Sequence, residues 1–416
     1  MVANSASKPH QQEEGTDNIL DSQQTGCCVV GGGPAGAVLA FLLARQGVSV
    51  VLLEAHRDFD RDFRGDTLHP SVMNIMDELG LADRLLDLPH TKLRTGTLGT
   101  PQGSVTIADF SRLKTRFPYV TLMPQVQFLE FIVNEAKQYP SFQLIMGANV
   151  QELIVEDDRV IGVRYRGQGG WHEIRAKLTV GADGRHSRLR QLAGFEPLQI
   201  APPMDVLWFR LPRKPKEPKG AMGRIGSGRF VVLLNRFDSW QVAYIFPKGG
   251  YQQIRAAGLE ALRQSIVEVT PEFSDRIQHL QSWSQVAFLA VESSRLRRWH
   301  RPGLLLIGDA AHAMSPVGGV GINYAIQDAV VAANVLCQPL KAGVVQPRHL
   351  AAVHRQREWP TRLIQMVQSL VQKRIITPAL DPEQEFTPPI IFRLPILRDL
   401  PARLIGLGVW PVHVAL

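Results

Sequence analysis

The run Gly31-Gly32-Gly33-Pro34-Ala35-Gly36 constrains this chain more than any other feature. It stands between a short apolar, β-rich segment, Cys27 to Val30, and an apolar helical stretch, Ala37 to Gln46, closed by Gly47. That order predicts strand, tight turn and helix. Gly31 permits the turn, Gly33 lets backbone approach a pyrophosphate, and Gly36 lets the helix pack on the strand. The helix start beside Pro34 and Ala35 supplies N–H donors and a positive dipole end. A second apolar run, Val48 to Leu53, ends in Glu54, about 20 residues downstream, where a dinucleotide fold places an acceptor for ribose hydroxyls. The segment reads as a complete β-α-β unit, and by itself it leaves FAD and NAD equal.

Two later segments break the tie. Leu178 to Arg190 reads LTVGADGRHSRLR, a short strand followed by Gly181-Ala182-Asp183-Gly184, with Ser187 and Arg190 opening a helix. Leu304 to Ala329 reads LLLIGDAAHAMSPVGGVGINYAIQDA, a strand, Gly308-Asp309, a loop with Pro316, Gly318, Gly319 and Gly321, then a helix. With these three motifs in this order, the chain resembles the p-hydroxybenzoate-hydroxylase-like, single-component FAD-dependent monooxygenases from about Cys27 to Leu336.

The resemblance implies an α/β fold: a discontinuous Rossmann-like FAD-binding domain (26–92, 124–202 and 292–340), an inserted mixed β-sheet substrate domain (93–123 and 203–291) and a C-terminal helical segment with a proline-punctuated tail (341–416). Asp309 would accept hydrogen bonds from the ribityl chain. Gly318, Gly319 and Gly321, with Pro316, Val320, Ile322 and Asn323 around them, would offer backbone N–H groups to the flavin at a helix start. By resemblance Asp183 has a double role, toward FAD and toward the nicotinamide cofactor; the bland reading is a turn aspartate bonding its own backbone. Arg64, in FRGDTLHP, matches an arginine that reaches the FAD phosphates, and Gln125, in MPQVQFLEFI, a glutamine that begins a helix beside the flavin.

The resemblance also implies a mechanism. NADPH or NADH reduces the flavin, dioxygen adds at C4a, and the hydroperoxide delivers a hydroxyl group to an aromatic or conjugated small molecule. No general base and no second nicotinamide-type fingerprint is legible; the class docks its nicotinamide cofactor without one. In the expected substrate domain, Val206 to Leu211, Phe230 to Leu234 and Trp240 to Phe246 alternate like strands. Trp208 and Arg210 share one face, and Trp240, Val242 and Tyr244 share another; Trp208, Arg210 and Tyr244 are the candidates for lining the substrate.

Three rivals use the same pocket. A flavin-dependent halogenase is expected to carry Trp-x-Trp-x-Ile-Pro, and none of the seven tryptophans forms a Trp-x-Trp pair. A geranylgeranyl-reductase-like enzyme is expected to carry Tyr-x-Trp-x-Phe-Pro; here Val242, Tyr244, Phe246 and Pro247 keep the end and lose both leading aromatics. A non-catalytic flavin-binding protein is the third.

Composition bounds the rest. At 416 residues and 45% hydrophobic, the chain can bury a large core. Residues 1–25 are polar and read as a disordered tail. Cys27, Cys28 and Cys337 are the only cysteines, so neither a disulfide framework nor a CxxC metal site is visible, no metal is expected, and a reducing cytoplasm fits. His312, inside the late motif, reads as structural. Of the net charge of +8, five arises after Leu340, where ten Lys and Arg face five Asp and Glu. Scattered on an amphipathic helical stretch, His349 to Ile376, without aromatic platforms, these charges do not suggest nucleic acid. The longest candidate membrane segment, Leu404 to Leu416, is too short to span. FRLPILRDLPARLIGLGVW mixes basic and apolar residues in a way compatible with a peripheral membrane contact. The expected partners are therefore a small-molecule substrate and O2.

Overall fold

The computed structural model describes residues 19–60, 67–100, 103–217, 220–236, 238–384, 386–387 and 399–416. Five parallel strands build the main sheet, in the order Leu304–Leu306, Gly170–Gly181, Ile19–Val30, Val50–Glu54 and Phe142–Met146. An antiparallel meander, Asn149–Glu156 and Arg159–Gly167, feeds into Gly170–Gly181. The parallel strands are apolar on both faces because both are covered: Val50–Glu54 is buried throughout. Helix Pro34–Arg45 packs on one side between Gln125–Ala136 and Gly321–Lys341.

The first strand begins at Ile19, which corrects the expected tail of residues 1–25. Apart from the exposed Ile19 and Leu20, residues 19–25 are polar, yet they pair with Trp171 to Ala176 of the neighbouring strand. Their backbone completes a ladder, and ladder hydrogen bonds do not depend on apolar side chains. Residues 1–18 lie outside the described residues.

Helix Gly321–Lys341 sits at the centre of the core. The stretch Val317–Lys341 is long and apolar enough to cross a membrane, with a mean hydropathy of 1.3, yet 83% of its most apolar part is buried inside the protein. It is the one such helix among the described residues, which corrects the expectation that Leu404 to Leu416 is the longest candidate.

A second, seven-stranded sheet stands beside the first, in the order Ala287–Leu289, Met204–Pro212, Ser239–Pro247, Arg229–Arg236, Ala221–Gly226, Thr95–Thr100 and Gly103–Asp109. All pairs are antiparallel except Ala221–Gly226 with Thr95–Thr100, so the sheet is mixed. The ends of the expected 93–123 segment depart from it: Thr91–Leu93 and Val120–Leu122 join Thr67–Leu68 in a separate three-stranded sheet. The expected run of strands over 203–291 also contains two helices, Tyr251–Ala257 and Leu259–Val269.

Those helices decide what the sheet's faces do. Leu207, Phe209, Val231, Val242, Tyr244 and Phe246 pack beneath them with Leu262 and Ile266. The opposite face, with Met204, Val206, Phe230, Ala243 and Ile245, packs instead with Val291, Ile376 and Leu380, and with Val317 of the late glycine loop.

The C-terminal region is built in rather than trailing. Helix Pro347–Val371 packs on Gly321–Lys341. Helix Asp399–Gly406 seats Ala402 among Phe110, Leu113 and Leu122. The last residues run along helices Pro70–Glu78 and Gly321–Lys341, where Glu78 accepts from the N–H of Val414 at 2.8 Å and Asn334 donates to the carbonyl of His413 at 2.8 Å. Part of the stretch read as compatible with a membrane contact, residues 392–398, lies outside the described residues.

Two buried histidines give the fold a pH dependence. His69 donates from Nδ1 to the carbonyl of Ile405 at 2.7 Å, and burial pushes its pKa down to about 4 against that hydrogen bond. Burial and the charges of Arg298 and His354 push His300 down to about 4 as well. Between pH 6.5 and about 4 the unfolded chain takes up protons that the fold refuses. Stability is therefore fully present above the upper limit and falls as pH falls, by about 1.4 kcal/mol per pH unit for each histidine. Thermal unfolding followed by circular dichroism is expected to show a lower midpoint at pH 5 than at pH 7, with a shallower fall in His69→Asn. An equally steep fall in that variant would remove His69 from the account.

Candidate active site

The three motifs meet because their strands stop at one level. Val30 lies opposite both Leu53 and Gly181, and Gly181 lies opposite Leu306. The loops that follow therefore emerge side by side at the carboxyl edge of the sheet, where open α/β sheets bind ligands. Their backbones touch. A Cβ on Gly31, whose φ is +105°, would lie 2.4 Å from the carbonyl oxygen of Ala182, and one on Gly36 would lie 1.9 Å from that of Gly31. These two positions exclude any side chain, so the tight turn and the close packing of helix on strand depend on glycine.

At the helix starts the situation reverses. Gly33 caps helix Pro34–Arg45 and Gly321 is the first residue of Gly321–Lys341. A Cβ on either would meet no atom within 4 Å, so a ligand can approach both sets of N–H donors. Glu54, at its strand end, accepts from the N–H of Gly32 at 2.8 Å and from the N–H of His56 at 2.9 Å. Asp309 is exposed in the turn Gly308–Ala310. Gln125 is the first residue of its helix, after Pro124, and is half-buried. Arg64 lies outside the described residues.

In the middle motif, Asp183 accepts from the hydroxyl of Ser187 at 2.6 Å and from the N–H of Leu189 at 3.0 Å, while Ser187 accepts from the N–H of Arg190 at 2.9 Å. Burial lifts the Asp183 carboxyl above its ordinary range, against these donors. Arg190 reaches the late motif, donating to the carbonyl of Ala310 at 3.2 Å. Asp183 thus caps a short helix whose arginine is tied to the turn carrying Asp309.

In the late loop, Val320 packs with Tyr324 and Ile364, and Ile322 joins the main core. Asn323 accepts from the N–H of His69 at 2.7 Å and donates to the carbonyls of Thr67 at 3.0 Å and Gly319 at 3.1 Å. The side chains of these three residues hold the loop, which leaves backbone as what they can offer a ligand. Gly318 and Gly319 both have positive φ, and a Cβ on Gly319 would lie 2.8 Å from the hydroxyl of Thr67.

The substrate candidates separate. Trp208 lies on the sheet face that packs with Val317, and Arg210 is exposed farther along the same face. Tyr244 lies on the other face, under helix Leu259–Val269, where its hydroxyl accepts from Ser265 at 3.2 Å. The structure does not bring it together with Trp208. Alternation showed that the two faces differ, but not which one the inserted helices cover.

A family model described as an FAD binding domain matches residues 24–367. The chain belongs to this family of FAD-dependent monooxygenases. The 6-methylpretetramide 4-monooxygenase of Streptomyces rimosus is 35% identical, with 86% of each chain covered. Anhydrotetracycline monooxygenase of Streptomyces rimosus is 30% identical over 73% of this chain and 60% of its own length. The flavin-dependent brominase Bmp2 shares the fold, with a TM-score of 0.75 at 17% identity over 93% of this chain and 94% of that one. Fold alone therefore does not choose between hydroxylation and halogenation; the relatives at higher identity are monooxygenases.

This monooxygenase is an enzyme that uses FAD, NAD(P)H and O2. The donor set fits FAD: bare N–H groups at two helix starts, Glu54 beside the first turn and a solvent-facing Asp309 beside the second. Sequence reading missed the buried cluster behind Asp309. Asp328 accepts from the N–H of Gly308 at 2.9 Å, meets His312 at 2.5 Å, and accepts from Arg357 at 2.7 Å. Its one signal was the acid inside the apolar late helix, since a carboxylate there needs partners. His312 is buried within this cluster, and no group of three or more side chains able to hold a metal occurs among the described residues.

Asp309→Ala is expected to give folded protein purified with less than about a tenth of its flavin, in line with the loss of two charge-assisted hydrogen bonds. The ratio of flavin to protein absorbance measures it. Full, tight flavin retention would remove Asp309 from the site.

Proposed function

We propose that this monooxygenase hydroxylates a fused-ring phenol held against the sheet face that carries Val206, Trp208 and Ile245. The observation behind the proposal is Trp208. Its indole Nε1 is buried and makes no hydrogen bond among the described residues, although it sits in an otherwise apolar wall with Phe230 and Val317. A buried donor without a partner is unfavourable by about 1–3 kcal/mol, and a phenolic oxygen of a flat ligand supplies the acceptor. Relatives named for 6-methylpretetramide and anhydrotetracycline support the same class of substrate.

FAD, when bound, takes up hydride from NAD(P)H and activates dioxygen for insertion into the ring. The chain does the rest. Val206, Phe230, Ile245 and Val317 exclude water from the reacting face, and Trp208 adds binding to the ring through its indole N–H. The N–H groups at the start of Gly321–Lys341 stabilise negative charge at the cofactor. Asp183 acts on the reductive half of the cycle by holding Ser187 and, through Arg190, the turn of Asp309. The three buried, free cysteines suit a reducing cytoplasm.

Turnover of a tetracyclic phenol under 18O2 is expected to give a product heavier by one labelled oxygen atom, read by mass spectrometry; a reduced, unlabelled product would return the double-bond reductase to first place. Trp208→Phe keeps the ring and loses one donor, so KM is expected to rise about fivefold with kcat nearly unchanged. An unchanged KM would place the substrate elsewhere. For Asp183→Ala, stopped-flow reduction by NADPH at saturating substrate is expected to slow about tenfold or more, as for a lost buried hydrogen-bond partner; an unchanged rate would leave Asp183 a helix cap.

A further inference from the structure

Asp328 is fully buried, and His312 and Arg357 are each 1% exposed. Three groups, from two separate pieces of chain, converge on its carboxylate. Oδ2 accepts from the N–H of Gly308 at 2.9 Å and lies 2.5 Å from Nε2 of His312; Oδ1 accepts from Nε of Arg357 at 2.7 Å. Gly308 and His312 are also joined directly, because the N–H groups of Ala311 and His312 both donate to the carbonyl of Gly308 at 2.9 Å. The turn that presents Asp309 is therefore pinned at both ends by one carboxylate, and that carboxylate is held from behind by an arginine of helix Pro347–Val371. We propose that Asp328 and Arg357 are positioning residues for FAD, fixing the Gly308–His312 turn so that Asp309 meets the cofactor in one orientation.

The geometry explains why an arginine is buried so far from solvent. Without it, Asp328 would carry a buried charge balanced only by His312 and one backbone N–H, and such a carboxylate either takes up a proton or pulls its surroundings into a new arrangement. Either response releases the turn. The groups facing Asp328 are His312 from the loop, Arg357 from the C-terminal helix and Tyr324 one turn earlier on its own helix, with the Arg357 guanidinium 5.3 Å from the Tyr324 ring centre. Trp299 lies tilted against His312 at 4.8 Å and stacked on His354 at 5.3 Å, closing the cluster from the far side. Arg357 uses a single donor, Nε, toward Asp328. A lysine can supply one donor, so the conservative variant should restore what a methionine loses.

The test is FAD binding to the deflavinated full-length protein, by fluorescence quenching between pH 6 and 9, for wild type, Arg357→Met and Arg357→Lys, alongside the thermal midpoint of each apoprotein. The readout does not depend on which substrate the enzyme takes. Arg357→Met is expected to weaken FAD at least tenfold, with an affinity that improves as pH rises because Asp328 must then lose a proton to re-form its contacts. Arg357→Lys is expected to recover most of the affinity and to lose the added pH dependence. A folded Arg357→Met protein that binds FAD within twofold of wild type would overturn the proposal. Should Arg357→Met fail to fold, His312→Gln carries the test: weaker FAD at an unchanged apoprotein midpoint supports positioning, and a lower midpoint at unchanged FAD affinity refutes it.

Discussion

The structure depends on backbone contact between the first two glycine motifs. Gly31 lies so close to Ala182, and Gly36 to Gly31, that no side chain fits at either glycine. That closeness is a consequence of register. Val30, Gly181 and Leu306 end their strands at one level, with Leu53 opposite Val30, so segments more than a hundred residues apart deliver their loops to one edge. A shift of one residue in any of these parallel pairings would exchange the side chains between the two covered faces and carry a motif away from the others. The hydrophobic core and the cofactor site are thus set by the same register.

Around that edge, polar side chains hold backbone in place and backbone is what faces the ligand. Asn323, His69 and Thr67 fasten the late loop, while Ser187 and Arg190 link Asp183 to the turn of Asp309. Asp328 fastens that turn from behind. Such an arrangement suits a large, multiply hydrogen-bonded cofactor, since donors already oriented lose little entropy on binding. It also explains why few side chains in the late motif point at the ligand space.

The second sheet works by contrast between its faces. Leu207, Phe209, Val242 and Tyr244 are sealed by helices of the same insertion, a core that needs nothing from the cofactor domain. Val206, Trp208 and Ile245 are completed by Val317 of the flavin loop and by Ile376 and Leu380 of the C-terminal region. The wall beside the flavin loop is therefore assembled from three distant parts of the chain.

The sequence by itself determined the dinucleotide-binding order of elements. Gly31, Gly33 and Gly36 with Glu54, Asp183 with Ser187, and Gly308-Asp309 with the late glycines carry local instructions: turns, helix starts and strand ends that short stretches of chain dictate. It also showed, through period-two alternation, that Trp208 and Leu207 face opposite ways. Only tertiary structure decided which face would be covered, because the covering helices, Tyr251–Ala257 and Leu259–Val269, carry no mark of the surface they will meet. It decided that Ile19 to Thr25 extend the first strand, since their partner strand supplies the hydrogen bonds their side chains do not advertise. And it joined Asp328 to Arg357 across two helices, because a buried charge finds its partner through space, and spacing along the chain does not record where that partner is.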